Sequence, residues 1–311
     1  VSNDIKHIKF QNPDMFWEIA ADLYFPPSFD ESKKYPTVIS AHPIGSCKEQ
    51  TAGNIYATRL ADEGYVVIAF DASFQGESGG TPRLIEDPTQ RVEDFRRVVD
   101  YLTTLPYVDT DRIGALGVCG GGGYVLASAQ SEKRIKTVVS ITGVNYGRMV
   151  RENAAAAGGP VAALKQIAEQ RTAEAAGAEG AISAALPPSA EAAQQIGDID
   201  VVEAYDYYCT PRGQSANGKA IFDVAHGASA MVWDAFAFAE TLLTQPIMVV
   251  VGDKPGAFGA YRDGFEINRR AASEVKELVV LPGVSHYDLY DQPRGAGAAL
   301  EKVIPFLAAN L

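Results

Sequence analysis

Hydrophobic and polar residues alternate along 5–10 and 16–25, the period of strands with one covered face, and the pair reads as an antiparallel hairpin. Pro26-Pro27 and the polar stretch 30–34 close it with a loop. Beyond residue 36 the pattern changes to short unbroken apolar runs at 36–41, 65–70, 113–118, 136–142, 247–251 and 275–281. Such runs suit strands buried on both faces, as in a parallel sheet. Helical spacing fills the gaps, over 51–63, 88–104, 263–273 and 295–309. In the second of these, Val92, Phe95, Val98, Val99 and Leu102 share one face. The alternation predicts an α/β fold, a mostly parallel central sheet flanked by helices, with the opening hairpin at one edge.

Between 148 and 243 the rhythm breaks. Residues 154–195 are alanine-rich with scattered Glu, Gln and Lys, and read as helical, interrupted by Pro187-Pro188 and several glycines. Aromatics then concentrate at Tyr205, Tyr207, Tyr208, Trp233, Phe236 and Phe238. The expected organisation is a core of 1–147 and 244–311, with 148–243 inserted as a helical lid or cap. Its aromatics have two readings: the insertion's own core, or a lid whose Tyr207, Tyr208 and Trp233 line an apolar substrate pocket.

Composition narrows the function classes. At 311 residues and 47% apolar content, the chain can bury a full core. A net charge of −12 argues against non-specific binding to nucleic acid or anionic membranes. The three cysteines, Cys47, Cys119 and Cys209, form no C-x-x-C pair, which argues against zinc and against a disulfide scaffold, and fits a reducing cytoplasm. No apolar run approaches the ~20 residues needed to span a bilayer, and the first fifteen residues carry no signal-like apolar segment. The expectation is a soluble cytoplasmic protein, with self-association as a homodimer left open.

The candidate chemistry lies where the third apolar run meets Gly117-Val118-Cys119-Gly120-Gly121 and then a small, apolar helix-like segment. Strand, sharp turn and helix form the context of a G-x-S-x-G nucleophile elbow, here with cysteine at the apex. A strained apex needs small neighbours, and the helix N-terminus behind it favours a thiolate. Two blander readings compete. A lone cysteine at a strand end is usually a small buried hydrophobe. A glycine run after a strand can also hold a pyrophosphate, but no G-x-G-x-x-G register is completed, and the strand at 137–142 ends without the acid that binds ribose.

Four histidines are available as the base. His7 lies on the first strand, His226 in the insertion and His42 at a strand end, where it shapes the following loop. His286, in a loop between the last strand and last helix, alone fits the order nucleophile, acid, histidine. Asp253, after the strand at 247–251, is the expected acid, with Asp263 and Asp288 as substitutes. The oxyanion donors are expected to be the N–H groups of Gly120 and of Ile44, since Pro43 has none; Gly45 is the other choice on that loop.

With these residues placed, the chain resembles the α/β-hydrolase superfamily, and most closely its dienelactone-hydrolase-like branch, which uses cysteine, histidine and aspartate. The resemblance rests on His42-Pro43 through Lys48-Glu49-Gln50, Phe70-Asp71-Ala72, Gln75-Gly76-Glu77-Ser78, Glu86-Asp87-Pro88, Arg91-Val92-Glu93-Asp94 and Gly117-Val118-Cys119. These segments are similar to uncharacterised bacterial hydrolases and fungal polyketide acyltransferases rather than to dienelactone hydrolase itself. The resemblance implies a hydrolase of ester, thioester or lactone bonds using Cys119, His286 and Asp253 on a small-molecule acyl substrate, with no metal or cofactor. Acyl transfer to an alcohol or amine is the first alternative, and a non-catalytic small-molecule-binding protein the second.

Overall fold

The computed structural model describes residues 4–311. Its main sheet has eight strands: β1 (Ile5–Phe10), β2 (Ile19–Tyr24), β3 (Tyr35–Ala41), β4 (Val66–Phe70), β5 (Val108–Val118), β6 (Ile135–Ile141), β9 (Ile247–Lys254) and β10 (Lys276–Ser285), while β7 (Ile182–Ala184) and β8 (Ile221–Asp223) form a separate antiparallel pair. The spatial order is β1-β2-β4-β3-β5-β6-β9-β10. β1 and β2 pair antiparallel, β2 meets β4 antiparallel, and every other neighbour is parallel.

Burial explains the strand composition. On β5, Ile113 and Ala115 join one apolar cluster while Leu116 and Val118 join the other. The helix Pro88–Thr103 covers the first face with Phe95, Val98, Val99 and Leu102; the helix Ala298–Asn310 covers the second with Val303, Phe306 and Leu307. The Asp87 carboxylate caps the first of these helices by accepting the Gln90 N–H at 2.8 Å.

Chain order also fixes where a site can form. From β3 the chain moves to β4 on one side, then returns to β5 on the other. At such a switch point a crevice opens outside the carboxyl ends of the strands. Ala41 is level with Gly117 across β3 and β5, and Val118 with Ile141 across β5 and β6. The segments after these three strands therefore meet at one place.

The region 148–243 contains the helices Pro160–Ala175, Ala190–Ile196 and Ile199–Cys209, following Tyr146–Asn153, which runs into it. The expected helical run through 154–195 is broken by β7, which pairs with β8. Alanine content reports helix propensity, not a partner strand 41 positions away in the register Ile182↔Asp223. The helix Pro160–Ala175 buries none of its side chains. Among the described residues no helix is long and apolar enough to cross a membrane.

Candidate active site

β5 delivers Cys119 at φ +55°, ψ −121°, a conformation that favours glycine. The turn persists because its surroundings leave no alternative: Cys119 N–H donates to Ile141 O at 3.0 Å, and Cys119 O accepts from Val144 N–H at 2.9 Å. A Cβ on Gly117 would lie 2.1 Å from Gly121 O, and one on Gly121 would lie 2.5 Å from Ala41 O. Glycine at −2 and +2 is thus a steric requirement of strand, helix and loop crossing at the apex.

The sulfur is approached by the backbone N–H groups of Gly120 and Ile44 and by the Tyr290 hydroxyl, all of which favour the thiolate. Burial outweighs them and pushes the thiol up to about 11. The helix N-terminus expected to yield a resting thiolate is overridden by desolvation, and the thiol is neutral at pH 7. Cys119 sits on the wall of a cavity of about 350 Å³ lined chiefly by apolar groups, among them Ile44, Met149, Leu186, Phe222 and Phe258.

His286 follows β10 directly and is buried, its ring edge-on to Phe258 at 5.4 Å. Its Nδ1 is 2.8 Å from Thr142 Oγ1, while Nε2 is buried without a hydrogen-bond partner. Desolvation lowers the imidazole to about 3. No hydrogen bond joins it to Cys119; Tyr290, 5.5 Å from the imidazole between ring centroids, links the two environments. Such contacts commonly tighten only when substrate is bound.

The expected acid is not brought to the histidine. Asp253 is exposed and accepts the Gly283 N–H at 2.6 Å, and no ion pair or hydrogen bond joins it to His286. Asp253 stands in the exposed last part of β9, and its carboxylate ties down the β10 irregularity between Leu281 and Ser285. Asp263 is held by Arg148 at 2.6 and 2.9 Å and by the Asn145 N–H at 2.8 Å. Asp288 accepts from Ser285 N–H at 3.0 Å and Arg294 at 2.7 Å. Neither is free to serve the base. What sequence reasoning missed at this site is Thr142, Tyr290 and Phe258, together with Asp200, a buried carboxylate of the insertion that shares a small cavity with His286.

The three expected substrate rings separate. Tyr208 lines the Cys119 cavity. Tyr207 packs behind it, 5.0 Å from Tyr208 and 4.9 Å from Tyr290, and does not line the cavity. Trp233 stacks near Tyr124 at 5.2 Å and faces a different hollow beside Arg96 and Phe238. Aromatic density in the sequence could not distinguish a wall from its support.

His42 has a structural part. Its Nε2 accepts the Ala72 N–H at 3.1 Å, Nδ1 is 2.7 Å from Pro43 O, and its own carbonyl accepts from Arg91 at 2.7 Å. Gln50 is buried and donates to Gly213 O at 2.6 Å and Gly218 O at 3.2 Å, fastening the loop after β3 to the region 148–243. Glu49, Asp71 and Glu77 converge as metal ligands would, with oxygens within 4.8 Å of one another. The buried Lys48 ammonium is seated among them, 2.6 Å from Glu77 and 3.6 Å from Asp71, so a cation of the chain's own already holds the cluster.

Comparison with known proteins bears on the fold and the class of enzyme. The chain is 36% identical over the full length of both chains to the uncharacterized protein YcjY of Escherichia coli K12. The crystal structure of the hypothetical protein PA2218 from Pseudomonas aeruginosa superposes with a TM-score of 0.84 at 29% identity, covering 99% of this chain and 94% of that one. The acyltransferase drtE of Aspergillus calidoustus is 27% identical over 45% of this chain and 43% of its own. Residues 17–215 match the X-Pro dipeptidyl-peptidase (S15) family. That match spans the sheet's switch point and the elbow, and the chain accordingly belongs to the S15 family, an enzyme of the hydrolase or acyltransferase type on the α/β-hydrolase fold.

Proposed function

We propose that the protein is a thiol-dependent acyl hydrolase, cleaving ester, thioester or lactone bonds through an acyl-enzyme on Cys119. One observation carries the reading: a cysteine held at positive φ presents its sulfur to two backbone N–H groups on the wall of an apolar cavity. An inert buried thiol has no need of that strain or of those donors.

The neutral resting pair dictates the order of events. The Cys119 proton passes to His286 Nε2 as sulfur bonds to the carbonyl carbon, and the π pair moves to oxygen beside Gly120 and Ile44. Collapse expels an alkoxide or thiolate, which takes the proton from His286 and leaves a thioester on Cys119. Water then gives a proton to His286 and hydroxide to the acyl carbon, and the departing Cys119 thiolate recovers the proton. An alcohol or amine in place of water gives acyl transfer, and the burial of Cys119 favours that second reading by restricting water.

The test is a panel of short, long and aromatic aryl esters and thioesters with wild type and Cys119→Ala, with intact-protein mass spectrometry to trap the acyl adduct. The substitution should remove at least ~1000-fold of the activity and the adduct together. Product partitioning with an added alcohol or amine separates transfer from hydrolysis. Turnover surviving in Cys119→Ala overturns the nucleophile, and binding without turnover across the panel points to a binding protein. Because burial keeps the thiol near 11, iodoacetamide labelling of Cys119 should be slow at pH 7–8 and accelerate toward pH 11.

A further inference from the structure

The insertion brings a buried carboxylate to the site that the steps above do not use. Asp200 stands in the first turn of Ile199–Cys209, behind the capping residue Asp198, and is 1% exposed. Its Oδ2 accepts the Phe258 N–H at 2.9 Å, and its Oδ1 has no hydrogen-bond partner. His286 Nε2 is likewise buried and unpartnered. Both residues line one small cavity of about 10 Å³, the scale of a single water, and Thr142 is in its wall. The space for the carboxylate is specific: a Cβ on Gly256 would fall 2.3 Å from Asp200 Cγ. A buried carboxylate oxygen left unpaired costs ~1–3 kcal/mol, so Asp200 Oδ1, in a residue that shares this cavity with His286 and Thr142, calls for an explanation.

We propose that Asp200, carried in by the insertion, is the carboxylate that positions and polarises His286 across this cavity, with the Thr142 hydroxyl as the intervening hydrogen-bond group, in place of Asp253. The inference rests on the Cys119–His286 reading above. Asp200 touches no substrate and transfers no proton in the cycle; its negative charge stabilises the imidazolium that forms as Cys119 is deprotonated. The base is then competent only while the insertion is seated.

Charged and titratable groups face Asp200 from several elements: Asp198 and Glu203 on its own helix, Lys254 and Tyr261 around the cavity, His286 and Tyr287 after β10, and Cys119 at the elbow. Burial, reinforced by Asp198 and Glu203, raises the carboxyl to about 7. Activity that depends on its ionised form should therefore rise with pH through about 7.

Two readouts test this. Ring ¹⁵N shifts of His286 in histidine-labelled protein, followed from pH 5 to 9, should show a step near pH 7 in wild type and Asp253→Asn that is lost in Asp200→Asn. With the best aryl ester, Asp200→Asn should lower kcat at least ~100-fold with KM within about threefold, and should remove the rising limb of the pH profile, while Asp253→Asn stays at the wild-type rate. A step that persists in Asp200→Asn, or that wild type lacks, overturns the proposal. If wild type turns over no acyl substrate, the proposed function fails, and the NMR step still decides the Asp200–His286 link. Should Asp200→Asn not fold, Gly256→Ala provides the same test by crowding the carboxylate from its seat; an unshifted step there counts against it.

Discussion

The two sides of the site are built differently. On the core side, polar groups of the loops after β3 and β4 and of the helix Pro88–Thr103 are largely matched to one another, Glu49 Oε2 and Gln75 Oε1 excepted: Lys48 to Asp71 and Glu77, Arg91 to the His42 carbonyl, Asp94 to Ser73 at 2.7 and 2.8 Å, and Gln75 to Glu86 at 2.7 Å. On the side formed by residues 148–243, Asp200 Oδ1 and His286 Nε2 are buried without hydrogen-bond partners. A matched network fixes a frame, whereas unpaired polar atoms around a cavity hold interactions in reserve for a ligand or a transition state. Apart from Gly117-Val118-Cys119, the motifs that carry the family resemblance belong to the frame, whereas His286 and Asp200 lie outside all of them.

Breaking the frame should have the largest effect on stability. Lys48→Ala leaves the buried Asp71 and Asp22 without their cation, and should destabilise by ~3–5 kcal/mol, read as a lowered denaturation midpoint. A loss within 0.5 kcal/mol would mean that the network is surface-like and the contrast unfounded.

Asp200→Asn should move in the opposite direction. The folded-state value near 7 lies above the ordinary aspartate value of 3.8, so ionising this buried group disfavours folding. That penalty is absent below the unfolded value, grows as pH rises from 3.8 to 7, and is complete above 7. Relative to wild type, the variant should gain stability across that window, with a ceiling of ~4 kcal/mol from ~1.4 kcal/mol per pKa unit. Equal pH dependence in urea titrations of the two proteins would place the carboxyl in a solvated setting.

A smaller effect is expected where the insertion is pinned. Arg212 grips Asp291 at 2.7 and 2.9 Å and donates to Tyr287 O at 2.9 Å, beside His286. Arg212→Ala should cost about 1–3 kcal/mol and speed iodoacetamide labelling of Cys119 severalfold at fixed pH. Unchanged labelling would show that this clamp does not hold the cover in place.

Legibility in the sequence divides along the same line. The sheet was readable because 66–70, 113–118 and 247–251 are apolar on both faces, and the elbow because Gly117 and Gly121 are required by sterics. Asp200 was not. Behind the cap Asp198, it looks like any first-turn acid favoured by the helix dipole, and its partners lie 58 positions away at Phe258 and further on at His286. Asp253 looked right because the acid is usually sought after the apolar run 247–251, yet β9 continues to Lys254 and leaves Asp253 exposed on it. The one available signal was an Asp-x-Asp followed by apolar residues in an otherwise alanine-rich region.

The neutral Cys119 thiol has a consequence for redox chemistry. Peroxide oxidises thiolates far faster than thiols, so a cysteine near 11 behind an apolar wall is a poor target at physiological pH. Cys47, pushed up to about 12, is shielded in the same way, which leaves the exposed Cys209 to meet oxidants first. The elbow would thus keep its sulfur reduced between turnovers without a resolving partner, and sulfenic acid would form there only when the cover is displaced.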